Sequence, residues 1–141
     1  MGNEPIVRTV GAISLGAIAG ALSRYYVGLI IGQLLGTQMP YGTLFANLTG
    51  CFIMGLLTTI SFSTIVRIHP DLRLLVLTGF LGSYTTFSSY ELDVAKLIEQ
   101  QHLQSALLYW GGSVLLGWLS LELGTGLAKW ILRQWEHRSS V

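Results

Sequence analysis

Asn47, Thr86, Ser88 and Ser113 are hydrogen-bond donors set inside otherwise apolar stretches of the chain. A carboxamide brings two N–H groups and each hydroxyl one O–H. Phe87 and Tyr90 stand three residues apart in the same neighbourhood, and the edges of their rings carry the positive part of the aromatic quadrupole. Donors and ring edges together can replace the water around a small, strongly hydrated anion. No Asp or Glu is forced into the middle of these stretches, so nothing there repels negative charge; a cation pathway would want the opposite. Each residue also has a structural reading. Asn47 can serve as an amide bonding to a neighbouring helix, and Phe87 and Tyr90 as packing residues on an aromatic stripe.

Most of these groups fall within Thr78–Asp93, TGFLGSYTTFSSYELD. That stretch begins like a membrane helix and then places Gly82, Ser83, Tyr84, Thr85, Thr86, Ser88 and Ser89 where hydrocarbon belongs. Glycine and paired threonines are poor helix formers. The spacing predicts a break at Gly82–Thr85 followed by a polar and aromatic wall at Thr86–Tyr90. A kinked but continuous helix is the alternative. A broken helix frees backbone carbonyls, which a membrane interior requires to be satisfied. A hard cation, water, or the hydroxyls of Thr85 and Thr86 could each do so.

The rest of the chain must hold this wall in a bilayer. Of 141 residues, 51% are hydrophobic and 11% charged, where a soluble domain carries about 25% charged residues. The mean hydropathy is +0.58. Such a chain cannot coat a globule with polar groups, and at about 20 residues per crossing it has room for four or five spans. The apolar runs predict four, at about 6–31, 41–62, 72–98 and 105–131, forming a single domain over 1–141. Gly16 and Gly20 in the first, and Gly42, Ala46 and Gly50 in the second, are small-residue stripes suited to close helix packing. Thr43, Asn47 and Cys51 share one face of the second. Tyr109, Ser113, Gly117, Ser120 and Gly124 make a small or polar face on the fourth, leaving Trp110 and Trp118 for lipid. Phe87, Tyr90, Val94 and Leu97 form one stripe, with Glu91 and Asp93 set off it as charges at the mouth. Glu122 is expected to pair with Lys129, and the tail from Arg133 to be polar.

The net charge of +1 gives no case for nucleic acid, and the lone Cys51 excludes an intrachain disulfide. The histidines lack metal-ligand spacing. No Ser-His-Asp arrangement, phosphate loop or carboxylate pair suggests an enzyme. Neither a cleaved signal peptide nor N-terminal myristoylation is expected. Arg8, Arg67, Arg73, Lys129, Arg133 and Arg138 fall on the side of both termini, against Arg24 and Lys96 on the other. That bias predicts cytoplasmic termini.

With the segments placed, GALSRYYVG, YGTLFANLTGCFIMG and TGFLGSYTTFSSYELD resemble the Fluc/CrcB family of fluoride channels over about Gly11 to Gly124. The resemblance implies an all-α membrane protein of four transmembrane helices, the third broken mid-membrane, assembling as an antiparallel, dual-topology homodimer in the cell inner (plasma) membrane. It implies passive export of fluoride through two pathways. Asn47, Phe87 and Tyr90 would line the path, with Thr86, Ser88, Tyr109 and Ser113 as polar positions along it and Arg24 near the vestibule. Carbonyls of Gly82 and Thr85 would hold a structural Na+ at the dimer centre. Tyr90 where Phe is common, Glu91 where Ser is common, and Glu122 depart from the family pattern. The charge bias also fits one half of a pair of oppositely inserted homologues. A four-span exporter of cationic compounds would need an acid in the first segment, which has Arg24 instead. An accessory subunit without transport would not need the polar faces.

Overall fold

A computed structural model of the chain describes residues 4–139; the N-terminal Met1–Asn3, where myristoylation was considered, lies outside them. The chain is all-helical. The first helix, α1 (Glu4–Leu35), ends at Gly36, whose φ of +84° is the left-handed conformation that closes a helix and that side chains with a Cβ resist. Then comes α2 (Tyr41–Ser61), followed by a segmented run: α3 (Pro70–Arg73), a wider π-helical stretch Leu74–Leu81, α4 (Gly82–Tyr84) and α5 (Phe87–Glu99). The chain closes with α6 (Leu103–Ser139). Three helices are long and apolar enough to cross a bilayer: Ile6–Leu35, Tyr41–Ser61 and Leu103–Glu136. The segmented run falls between the second and third of these.

The helices outrun the expected spans. At 32 residues, α1 is about 48 Å long, well beyond a hydrocarbon core of about 30 Å. The 37 residues of α6 carry the helix through the expected polar tail. Hydropathy marks where a chain leaves lipid, whereas helical hydrogen bonding continues until a cap or a breaker stops it, and Arg133–Ser139 contains neither.

What packs inside is small. Ala46, Ala106 and Ala128 are essentially inaccessible, and Leu81 is the one large side chain among the described residues that is fully buried. Leu15, Ile18, Leu22, Leu107, Val114, Leu119 and Leu123 face outward, as do Trp110 and Trp118. This distribution suits a solvent as apolar as leucine, in which burying large side chains gains little and close backbone contact gains more.

The small-residue stripes make those contacts. A Cβ at Gly16 would strike the Leu75 carbonyl, and one at Gly20 the Phe80 carbonyl; in return, a Cβ at Gly79 would meet the Ile13 carbonyl oxygen at 2.5 Å. So α1 lies directly on the π-helical stretch. Between α2 and α6, Gly55 abuts the Leu121 carbonyl and Gly124 the Phe52 carbonyl. The Ser120 hydroxyl adds a donated bond to the Leu48 carbonyl at 2.9 Å. Ser120→Ala should lower stability by only about 0.6 kcal/mol, the mean for such interhelical bonds, readable as a small fall in melting temperature in detergent.

At the end carrying both termini, Arg8 bonds Asp71, tying α1 to α3. Glu122 does not pair with Lys129 among the described residues. Seven residues are about 10.5 Å of helix rise, too far for two side chains that lie exposed on α6 to gain by meeting.

Candidate functional site

The segmented run creates the site. Gly82, Ser83 and Tyr84 are helical, so the interruption expected at Gly82–Thr85 lies one step later. Thr85 (φ −82°, ψ 156°) and Thr86 (φ −151°, ψ 126°) are the extended residues. The physical reason is in the threonines. Thr86 caps α5 by accepting the Ser89 N–H at 3.1 Å, the usual service of a hydroxyl at a helix start. Thr85 closes the preceding turn, its N–H and its hydroxyl both donating to the Leu81 carbonyl, at 3.1 and 3.0 Å. Glycine permits a break without requiring one.

Asn47 on α2 fills the gap in the ladder. Its Oδ1 accepts the Thr86 N–H at 2.8 Å and its Nδ2 donates to the Thr86 carbonyl at 2.9 Å. The carboxamide thus pairs with one extended residue as a neighbouring strand would. One N–H of the amide is left for other use. Close by, the Thr49 and Tyr84 hydroxyls bond at 2.9 Å, and a Cβ at Gly50 would strike the Thr85 methyl.

These residues form one wall of an open groove of about 540 Å³. Its lining includes Asn47, Gly82, Thr85, Thr86, Phe87, Tyr90 and Ser113, together with Cys51, Met54, Trp118 and Leu121. The two rings differ. Phe87 is 74% exposed, whereas Tyr90 is 5% exposed and its hydroxyl donates to the Trp110 carbonyl at 2.7 Å. That bond uses the phenol's one proton. The rings continue as a ladder: Phe87 to Tyr90 at 5.8 Å and Tyr90 to Tyr109 at 5.6 Å between centroids.

Tyr109 sits behind Tyr90 rather than on the groove wall, buried with its hydroxyl unpartnered. Ser113 lies on the wall, and its hydroxyl also has no partner. Ser88 is exposed, with its hydroxyl 3.3 Å from that of Thr86, and is not among the lining residues. Arg24 is half-buried on α1, one turn from Gly28, and away from the groove. Gly28 instead lines a second cavity of about 330 Å³ with Gly42, Thr43, Asp93, Lys96 and Gln100.

Sequence reasoning missed one pairing here. The Thr43 hydroxyl donates to the Asp93 carboxylate at 2.7 Å, so Asp93 faces α2 instead of standing free at the mouth. A period of three from Phe87 through Tyr90 to Asp93 was the available signal; the stripe drawn through Val94 and Leu97 hid it. Tyr90, Val94 and Leu97 are indeed buried against Ala106 and Tyr109, but Phe87 lies off that face.

Gly82 and Thr85 supply the carbonyls of interest. The Thr86 N–H, which a continuous helix would give to Gly82, goes to Asn47. The Ser89 N–H, which would serve Thr85, goes to the Thr86 hydroxyl. Gly82 is exposed, and a Cβ there would approach nothing nearer than the Leu77 carbonyl oxygen at 4.0 Å.

A family model described as "CrcB-like protein, Camphor Resistance (CrcB)" matches residues 11–125. The chain is 48% identical over 126 residues to a protein of Trichormus variabilis, covering 89% of this chain and 92% of that one. It is 49% identical over 126 residues to one of Synechococcus sp., covering 89% and 96%, and 44% identical over 123 residues to one of Synechocystis sp., covering 87% and 94%. All three are named "Fluoride-specific ion channel FluC".

Proposed function

The chain belongs to the CrcB-like family, and from that premise we propose that it is a multi-pass membrane protein conducting fluoride passively out of the cytoplasm. It is a channel and not an enzyme. Fluoride that enters as the neutral acid is trapped as the anion, and a selective leak driven by the membrane potential removes it. The observation that carries this reading is the groove wall, where Asn47, with one amide N–H beyond its two bonds to Thr86, shares the lining with Ser113 and the exposed Phe87 ring. These groups supply donors and a positive ring edge to a dehydrated anion with no carboxylate in the lining.

In the finer reading, residues 1–141 form one domain of four spans, the segmented run Pro70–Glu99 being the third span, broken mid-membrane. Two chains assemble antiparallel so that the open grooves close into fluoride pathways lined by Asn47, Thr86, Phe87, Tyr90 and Ser113. Ser88 and Tyr109 flank that lining, and Arg24 stands at a vestibule. The carbonyls of Gly82 and Thr85, relieved of their usual helical donors, fit a structural Na+ at the dimer centre. The ion would supply positive charge to oxygens that lipid cannot satisfy. The inner (plasma) membrane is the expected location. The excess of Lys and Arg at the end of both termini favours cytoplasmic termini, and by the same token favours a second reading, in which this chain pairs with an oppositely inserted homologue.

Efflux from liposomes reconstituted with purified dimer tests the function. Fluoride should leave and chloride should stay. Absence of fluoride flux from verified dimer overturns the homodimeric channel, and recovery on adding a homologous partner establishes the paired form. Phe87→Ile keeps bulk and removes the ring edge; fluoride flux should fall about tenfold, as loss of roughly 1.4 kcal/mol of stabilisation implies. Flux equal to that of the parent chain would place the pathway elsewhere.

A further inference from the structure

Two side chains of α2 hold the interruption, one beyond it and one before it. Asn47 takes the far side through both backbone groups of Thr86. On the near side the Thr49 and Tyr84 hydroxyls stand 2.9 Å apart. Thr49 has a single hydroxyl proton, and gives it within α2 to the Phe45 carbonyl at 2.7 Å. The bond between the two hydroxyls is therefore donated by Tyr84 and accepted by Thr49. Tyr84 is 7% exposed, and its ring is stacked on that of Phe80, 5.8 Å between centroids and 8° from parallel.

The two contacts do not duplicate one another. At about 100° per residue, Asn47 and Thr49 lie roughly 160° apart around α2, and Gly50 falls within that arc. The Thr85 methyl and the edge of the Tyr84 ring occupy the place that a Cβ at Gly50 would take, the ring carbon Cδ1 lying 3.2 Å from it. The chain at Tyr84–Thr86 thus sits astride α2, seated on Gly50 and held on both flanks. Asn47 alone would leave it free to roll about α2 in one sense. A second joint on the opposite flank stops that roll, and with it any shift of Asn47, Thr85 and Thr86, which all line the groove.

We infer that Tyr84 is a positioning residue for the fluoride path: by donating to Thr49 its hydroxyl fixes the Thr85–Thr86 interruption against α2 and so sets the placement of the groove wall. Tyr84 is not itself among the lining residues and acts through those that are. The role rests on the groove being that path. No water stands ready in a bilayer to replace a lost cross-helix donor. Removing the hydroxyl also strands no buried donor, because Thr49 keeps its bond to Phe45. Position is therefore lost with little loss of stability.

Tyr84→Phe in the full chain tests this with two readouts. Fluoride efflux from liposomes should fall about tenfold, within the hundredfold that misplacing a positioned group by about 1 Å can cost, while the melting temperature in detergent stays close to that of the parent chain. In 15N-labelled protein in micelles, the Asn47 side-chain amide and Thr86 backbone amide resonances should move by more than a linewidth. Thr49→Val, which removes the acceptor, should reproduce both effects, and the double variant should lose no more flux than either single one. Thr49→Ser keeps the hydroxyl and should conduct like the parent. Should Tyr84→Phe fail to fold, Thr49→Val against Thr49→Ser makes the same comparison. Unmoved Asn47 and Thr86 resonances, parent-like flux in the variants lacking the bond, or additive losses in the double variant overturn the inference. Moved resonances in a chain whose parent conducts no fluoride sustain the hold of Tyr84 on the wall and remove the channel instead.

Discussion

Asn47→Asp should reduce fluoride efflux by roughly a thousandfold. The native amide does three things at once. It accepts the Thr86 N–H, donates to the Thr86 carbonyl, and keeps one N–H for the groove. An aspartate retains only the first. It also places a negative charge beside the anion, and two like charges about 4 Å apart at a partly screened site repel by about 4 kcal/mol. Asn47→Ala separates the contributions. Without the added charge it leaves two backbone groups of Thr86 unpaired and removes a donor, which should lower flux about a hundredfold or less, at about 1–3 kcal/mol per unsatisfied group. The measurement is fluoride efflux from liposomes reconstituted with each variant, compared with the parent chain at matched elution volume. Aspartate conducting as well as asparagine would show that this position does not meet the ion. Equal loss in Asp and Ala would assign Asn47 to holding the interruption alone.

The second large effect is structural. Gly20→Val should destabilise the folded chain by about 3 kcal/mol or more, the upper range for overpacking a close contact. The added carbons meet the Phe80 backbone carbonyl, which cannot swing aside as a flexible side chain would. Phe80 lies in the π-helical stretch just before the groove wall, so the displacement would also reach Gly82 and Thr85. Gly11→Ala is the matched control. It lies on the same helix with nothing within 4 Å of its new Cβ, and should be neutral or stabilising by up to about 1 kcal/mol through helix propensity. Thermal unfolding in detergent, followed by tryptophan fluorescence, compares the two. If Gly20→Val melts with the parent chain, α1 does not sit on this stretch as described.

Three membrane-crossing helices and the small-residue stripes were legible in one dimension. Hydropathy sums over a window, so the apolar stretches announce themselves whatever they pack against. Four-residue spacing of Gly16 with Gly20, and of Gly42 with Ala46 and Gly50, marks a close-packing face in the same local way. The donors and rings of Thr86–Tyr90, with Asn47 and Ser113, were likewise visible as residue types out of place in hydrocarbon.

Only the tertiary structure decided what each of these meets. Asn47 and Thr86 are 39 residues apart, and no local pattern links an amide on one helix to a main-chain gap on another. The interruption expected over Gly82–Thr85 lies at Thr85–Thr86 because a cap and a cross-helix amide reward the extended conformation there, while propensity alone also admitted the glycine. Phe87 and Tyr90 share a stripe in projection, yet one is exposed and the other locked to the Trp110 carbonyl. Thr43 and Asp93, and Ser61 and Arg73, are further pairs of the same kind. The sequence by itself determined which residues could line an anion path and which helices must carry them. Which donors remain free for the ion was decided by long-range hydrogen bonds, whose energies depend on distances that exist only once the helices are packed.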